Sequence, residues 1–408
     1  MNAAALHYLI DSPGQRIETT AKAMLVAALF FMPISTAATN VSMGLTLIAW
    51  LLAGGFRARL ASLKGNQFAY ATLVFFLLLC IGASYSTGSR EDILFDLHKY
   101  AKLLFMLPAI TLMQEESWRK RALMAFGTAM LLTLALSLIS VIGPLPFIRG
   151  GGGGNHFVFR DYIAQNLMMS FFALVMLVRG KFDTVGWKRI AFSLLALLSI
   201  IDILFFVQGR TGYVSLALNL LVFVTFLDNM KQRAVATLLI LLIGLAAFQY
   251  STHLKYRVDL AVTEYKEQDE KKLTSVGQRV EFFKKGVQLI SERPLLGFGT
   301  GSYHKEFCRV ADTQEWCLAG TFHPHNQFIS FGVQLGFTGV LAYLLYLFIC
   351  VKQAWSQALE TRILGIGMIA TLVVDSVLHA PLYLIAEAAF FILLLPVFMA
   401  SGSKENSA

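Results

Sequence analysis

Apolar residues run along this chain in long blocks joined by short polar stretches, at 21–38, 41–56, 67–85, 98–114, 121–145, 162–179, 189–208, 212–228, 234–250, 327–351, 361–379 and 382–400. Most blocks are near the ~20 residues a helix needs to cross a hydrocarbon core of about 30 Å. Backbone groups inside lipid must pair within their own segment, so the blocks predict helices. The chain therefore reads as an all-α integral membrane protein with about twelve transmembrane helices and both termini on one side. The first block follows a polar leader and shows no small-residue cleavage pattern after it, which makes it a retained span.

The polar joints set the sidedness. Arg57, Arg59 and Lys64, then Arg119, Lys120 and Arg121, then Arg179, Lys181, Lys188 and Arg189, then Lys231 and Arg233, and finally Lys352 and Arg362 fall in alternate connections. The positive-inside rule makes those connections, and both termini, cytoplasmic. One opposite connection, from 251 to about 325, is far longer than a connector requires, and loops of that length tend to be functional. It divides the chain into an N-terminal bundle of about nine helices (1–250), a periplasmic loop domain (251–326) and about three C-terminal helices (327–408).

Within that loop, SVGQRVEFFKKGVQLISERP places Val276, Val280, Phe283, Val287 and Ile290 at helical spacing, with Ser275 and Gln278 as a capping box. This predicts an amphipathic helix ending before Pro294, its apolar face on the bundle or in the membrane interface. PLLGFGTGSYH reads as a turn, because no Lys-Ser/Thr follows its glycines. EYKEQDEKK reads as a solvated helix face, and glycines 150–154 as a mobile outer turn.

Composition agrees with the pattern: 56% of the residues are hydrophobic, 14% are charged, and the mean hydropathy is +0.63, where soluble domains carry about a quarter charged residues. The net charge of +9 resides in the short connections between spans, so it speaks for topology and not for a nucleic-acid partner.

Candidate chemistry gathers at a few positions. Arg210, in FFVQGRTGYVSL, lies between two apolar runs with almost no loop, where a guanidinium needs a cavity, a ligand or a buried acid such as Asp202 or Asp375. Arg279, in the first turns of the loop helix, has the planar donor fork that suits phosphate. In TFHPHNQFI, a helix starting at or just after Pro324 puts His325 near a helix N-terminus, whose field disfavours imidazolium and keeps the ring a usable base. Asn326 is a candidate to orient that ring or a substrate, and His323 stands beside it. Asp375, late in an apolar run, is a candidate partner for Arg210 or for an acceptor hydroxyl. Cys308 and Cys317, in an exterior loop, favour a disulfide over free thiols. A zinc site made by these two with His323 and His325 ranks third, since the spacing matches no common ligand pattern. Cys80 and Cys350 lie in spans and read as packing.

Three stretches together resemble the lipopolysaccharide O-antigen ligase family, related to O-antigen polymerases and bacterial protein O-oligosaccharyltransferases. QGRTGYV is similar to the family's Arg-x-x-x-Leu segment, with Val214 at the last position; SVGQRVEFFKKGVQLISERPLLGFGTGSY to its loop helix and Pro-Leu-Gly turn; HPHNQFISFGVQLGFTGVLAYL to its His-x-His-Asn entry into the next span. The resemblance implies a GT-C-like, inverting, metal-independent glycosyltransferase without cofactor in the bacterial inner membrane, its site facing the periplasm. Its donor would be a glycan on undecaprenyl diphosphate and its acceptor a sugar hydroxyl of lipid A-core. It implies His325 as general base and Arg210 and Arg279 on the diphosphate, with His323, Asn326, Asp375 and Arg160 also at the substrates. A polymerase, which extends a second lipid-linked glycan, and a protein-glycosylating relative use the same donor. A transporter is the reading from another class, but no pair of related halves with interrupted spans is seen.

Overall fold

A computed structural model describes residues 13–143, 145–146, 148–150, 154–266, 273–320 and 323–400. Every regular element among them is helical: α1 (Pro13–Phe31), α2 (Thr36–Leu52), α3 (Phe56–Ser62), α4 (Gln67–Ser84), α5 (Arg90–Ala101), α6 (Met106–Leu112), α7 (Glu116–Ile142), α8 (Tyr162–Phe182) and α9 (Gly186–Ile201), which a π turn (Asp202–Phe206) prolongs. Then come α10 (Arg210–Thr225) and α11 (Met230–Tyr250), the loop helices α12 (Thr252–Lys266), α13 (Ser275–Glu292), α14 (Tyr303–Val310) and α15 (Gln314–Ala319), and finally α16 (Gln327–Trp355), α17 (Leu359–Leu378) and α18 (Ile385–Met399). The middle of the glycine run, 151–153, and most of EYKEQDEKK lie outside the described residues.

Seven of these helices are long and apolar enough to cross a membrane: α4, α7, α8, α9 with its π turn, α11, α16 and α17. An eighth results if α2 and α3, bent by 115° at their break, count as one span. Length and composition alone do not reach the expected twelve, for local reasons. Pro33 has no N–H to donate and disfavours helix at the residue before it. Ser35 then caps α2 by accepting from the Ala38 N–H, so the blocks at 21–38 and 41–56 become Pro13–Phe31 and Thr36–Leu52. The block at 98–114 is split by a 3₁₀ turn, Lys102–Phe105. Helices α10 and α18 are apolar but only 16 and 15 residues long.

Helix α8 is the centre of the bundle: 83% of its apolar window is buried, against 6% for α11, which stands at the periphery. At the far end of α8 Arg179 pairs with Glu360 of α17 at 3.0 Å. The loop helices cover the opposite end.

That cover has its own core, in which Phe282 and Leu289 of α13, Phe307 of α14 and Trp316 of α15 close over Ile329 and Val333 of α16. Cys308 and Cys317 are joined in a disulfide that ties α14 to α15, so the two sulfurs a zinc reading needs are bonded to each other. The buried stripe of α13 is Gly277, Phe282, Gly286 and Leu289, and Phe283 and Val287 are exposed, which rotates the helix from the face its large apolar residues predict. Gly286 explains the rotation, since a Cβ there would overlap Ile329. The cap is Thr274, whose hydroxyl accepts from the Gly277 N–H at 3.0 Å, and not Ser275, which is taken by Arg210. The helix ends at Glu292, ahead of Pro294, as expected.

The turn after α13 enters the bundle. Helix α16 is broken at Gly336 (φ 64°, ψ −158°), and the turn fills the break: Phe298 N–H donates to Val333 O at 2.9 Å and Gly299 N–H to Gln334 O at 2.7 Å, while Phe337 N–H donates to Pro294 O at 2.7 Å. Gly297 and Gly299 hold φ of 65° and 92°, the left-handed region that glycine enters without penalty.

Candidate active site

Arg210 opens α10 at the end of the bundle under the loop helices. Gly209 and Gly212 lie against Asn166 of α8, Gly212 too closely for a Cβ. Asn166 also donates its amide to Val207 O at 2.8 Å, so the QGRTG segment is held flush to the central helix. Neither acid expected for Arg210 reaches it. Asp202 accepts from Ser137 Oγ at 2.6 Å and Asp375 is engaged by His379. The guanidinium points outward, donating to Ser275 Oγ at 2.9 Å and lying 3.6 Å from Glu264 Oε2.

Arg279 stands one turn beyond Ser275. Its Nη2 lies 3.2 Å from His379 Nε2, and it forms no ion pair with a described residue. Burial weakens its basicity, and the charge of Arg210 weakens it further. His379 Nδ1 is 2.9 Å from Asp375 Oδ1. Arginine nitrogens only donate, so a neutral His379 must accept at Nε2 and carry its proton on Nδ1, donating to Asp375. The ring is neutral at pH 7: burial, then Arg279, push its pKa down to about 3.

His325 adopts φ 50°, alone in this among the described non-glycine residues. Its backbone N–H donates to His323 Nδ1 at 3.3 Å. Its ring stacks on Phe282 at 6.0 Å and 6° and lies 6.1 Å from the His379 ring. Its Nδ1 is buried and has no hydrogen-bond partner among the described residues. The helix starts at Gln327, not at Pro324, with Asn326 as cap. Asn326 Oδ1 accepts from Ile329 N–H and its Nδ2 donates to Val377 O, both at 2.9 Å. Its amide thus ties α16 to the end of α17. The His325 pKa is pushed down to about 4 by burial, then by His379 and Arg279, so burial does the work that the sequence assigns to a helix field. His323 falls to about 3, again chiefly by burial.

Arg160 sits just before α8 and donates from Nε and Nη2 to Met32 O, at 3.1 and 2.6 Å, and from Nη1 to Thr36 Oγ1. It closes the break between α1 and α2 and lines a cavity of about 530 Å³ that it shares with His323, Tyr383 and Glu387. Sequence reasoning singles out neither His379 nor Glu387. The available signal for His379 is the D-x-x-x-H spacing of Asp375 and His379, which puts both on one helix face.

These features define a helical membrane-type protein with two arginines and three imidazoles gathered at one end of its bundle. Residues 194–344 match the model of the O-antigen ligase family. The match supports an enzyme of the ligase and polymerase type in the broad sense. The match includes Arg210, Arg279, His323, His325 and Asn326, whereas Arg160, Asp375, His379 and Glu387 fall outside it. No curated protein matches the chain.

Proposed function

We propose that the protein transfers a glycan from undecaprenyl diphosphate to a sugar hydroxyl of lipid A-core. It does so in the bacterial inner membrane, with both termini cytoplasmic and the site on the periplasmic side. The observation that carries this reading is the convergence of Arg279, His325 and His379 from three separate segments, with the Arg279 guanidinium in no ion pair with a described residue. A largely buried arginine with a second beside it, and Glu264 as the acid near both, leaves excess positive charge that suits a diphosphate.

In this reading the acceptor oxygen attacks the anomeric carbon. The bond from that carbon to the diphosphate oxygen breaks, and its electron pair leaves with undecaprenyl diphosphate. The hydroxyl proton passes to the His325 imidazole, and the single displacement inverts the anomeric centre. Arg279 and Arg210 stabilise the charge that develops on the leaving group, which is where preorganised donors act most strongly. A positioned base contributes about 10² to 10⁴ in rate.

The test is a reaction of purified protein with undecaprenyl-diphosphate glycan, lipid A-core and excess EDTA, with His325→Ala in parallel. Glycan appears on the core lipid with wild type, and transfer by the variant falls at least about 100-fold. Wild-type turnover by His325→Ala refutes the base assignment. Longer lipid-linked glycan with unmodified core identifies a polymerase instead.

A further inference from the structure

The cavity of about 530 Å³ beside His323 is distinct from the Arg210 and Arg279 side of the histidines, and the reaction as written leaves it without an occupant. Its size falls within the 300–1,000 Å³ or so of ligand sites. Glu387 and His323 are both buried against it, at 6% and 8% exposure, and Glu387 forms no ion pair with a described residue. Lys99 lies 5.0 and 5.5 Å from the ring centres of Phe95 and Tyr383. Neither Lys99 nor Arg149, both on the cavity wall, pairs with a described acid. The cavity therefore offers the buried carboxyl group of Glu387, an aromatic wall, and three cations, Lys99, Arg149 and Arg160, against the single further acid Asp161. These groups match a saccharide that carries negative charge: the carboxyl group of Glu387 bonds a hydroxyl, the rings face the apolar side of a pyranose, and the cations, in excess over the acids on the wall, meet an anionic substituent. The cavity ends one ring from the base, since the His323 and His325 centroids are 4.6 Å apart.

We propose that this cavity binds the acceptor as an anionic sugar, phosphorylated or carboxylated, with Lys99 and Arg149 reading the charge and Glu387 a hydroxyl. The inference rests on the reading of the protein as a glycan transferase.

The experiment measures equilibrium binding of delipidated core oligosaccharide to the full chain in nanodiscs, with no donor present. The oligosaccharide is tested intact, after enzymatic removal of its phosphates, and after reduction of its carboxylates. Wild type binds the intact form at least about tenfold more tightly than one of the two neutralised forms, and which one identifies the anionic group. Arg149→Gln and Lys99→Gln each erode that preference, Arg149→Lys retains it, and KM for the donor in the transfer assay is unchanged. Equal affinity of wild type for all three forms overturns the proposal. So does full preference in both glutamine variants whose melting temperatures match wild type. If a glutamine variant unfolds, loss of the preference in wild type at 0.5 M NaCl replaces it, and a salt-independent preference counts against the proposal. Preference without any glycan transfer leaves the cavity assignment standing and removes the transferase reading; transfer without preference does the reverse.

Discussion

His379 has no place in the motifs that identify the family, yet it connects Asp375 to Arg279, at 2.9 and 3.2 Å. Replacing it tests whether Arg279 must be held. A hydrogen bond from a charged donor contributes about 1.5–3 kcal/mol. If that orientation is required in the transition state, its loss lowers kcat/KM by about 10- to 150-fold at ~1.4 kcal/mol per decade. Two amides separate this role from simple packing. In His379→Gln the amide oxygen reaches the position of Nε2 and still accepts from Arg279, while the bond to Asp375 is lost. In His379→Asn the amide nitrogen takes the place of Nδ1 and still donates to Asp375, while Arg279 loses its acceptor. The glutamine variant is expected to keep kcat/KM within about tenfold of wild type, and the asparagine variant to fall with His379→Ala to the bottom of that range. The assay is steady-state glycan transfer at fixed core lipid, with melting temperature in detergent to confirm folding. An asparagine variant as active as the glutamine one, or an alanine variant at wild-type rate, removes His379 from the machinery.

The pKa values of His323 and His325 are depressed to about 3 and 4, so the unfolded chain binds more protons than the folded one between those values and the ordinary 6.5. The stability these rings contribute is complete above pH 6.5 and is lost as the pH falls through about 4; melting temperatures that rise on acidification across that window contradict the burial argument. With His325 as base, kcat/KM is flat from about pH 6 to 8 and declines toward pH 4, and a decline centred near 6.5 in wild type points to a different group. Gly299→Ala places a Cβ onto Ser86 and the Gly82 carbonyl at φ 92°, and is expected to cost about 2 kcal/mol or more. Gly44→Ala, in open space on α2, gains about 0.5–1 kcal/mol, and equal melting temperatures for the two variants refute the close-approach account. Reducing the disulfide between Cys308 and Cys317 releases a closure worth about 3 kcal/mol, so amides of α14 and α15 exchange faster while those of α8 do not.

The apolar blocks are legible because lipid forces a one-to-one relation between a run of about 20 apolar residues and a helix. Where that relation meets Pro33 or the 3₁₀ turn at Lys102–Phe105, an apolar block no longer corresponds to one long unbroken helix. Arg210, Arg279 and His325 are legible as chemistry because charge and imidazole stand out in an apolar chain. Their partners are not: Glu264 lies in a run that reads as a solvated face, and His379 lies 100 positions from the Arg279 it touches. The rotation of α13 is hidden for a related reason, since Gly286 contributes nothing to an apolar pattern and yet decides which face can approach α16.

The break in α16 changes what the loop segment after α13 is. At Gly336 the helix cannot pair its own peptide groups, and Val333 O and Gln334 O are met by N–H groups of the 293–301 turn, while Phe337 N–H returns to Pro294 O. Gln334 Oε1 adds a bond from the Gly301 N–H at 2.9 Å. Peptide groups stranded in hydrocarbon cost several kcal/mol each. The span and the segment that completes it therefore form a single hydrogen-bonded object assembled from two stretches of chain. The turn is an anchored splint and not a lid, and a relative's loop segment fits this chain only if the matching half of α16 travels with it.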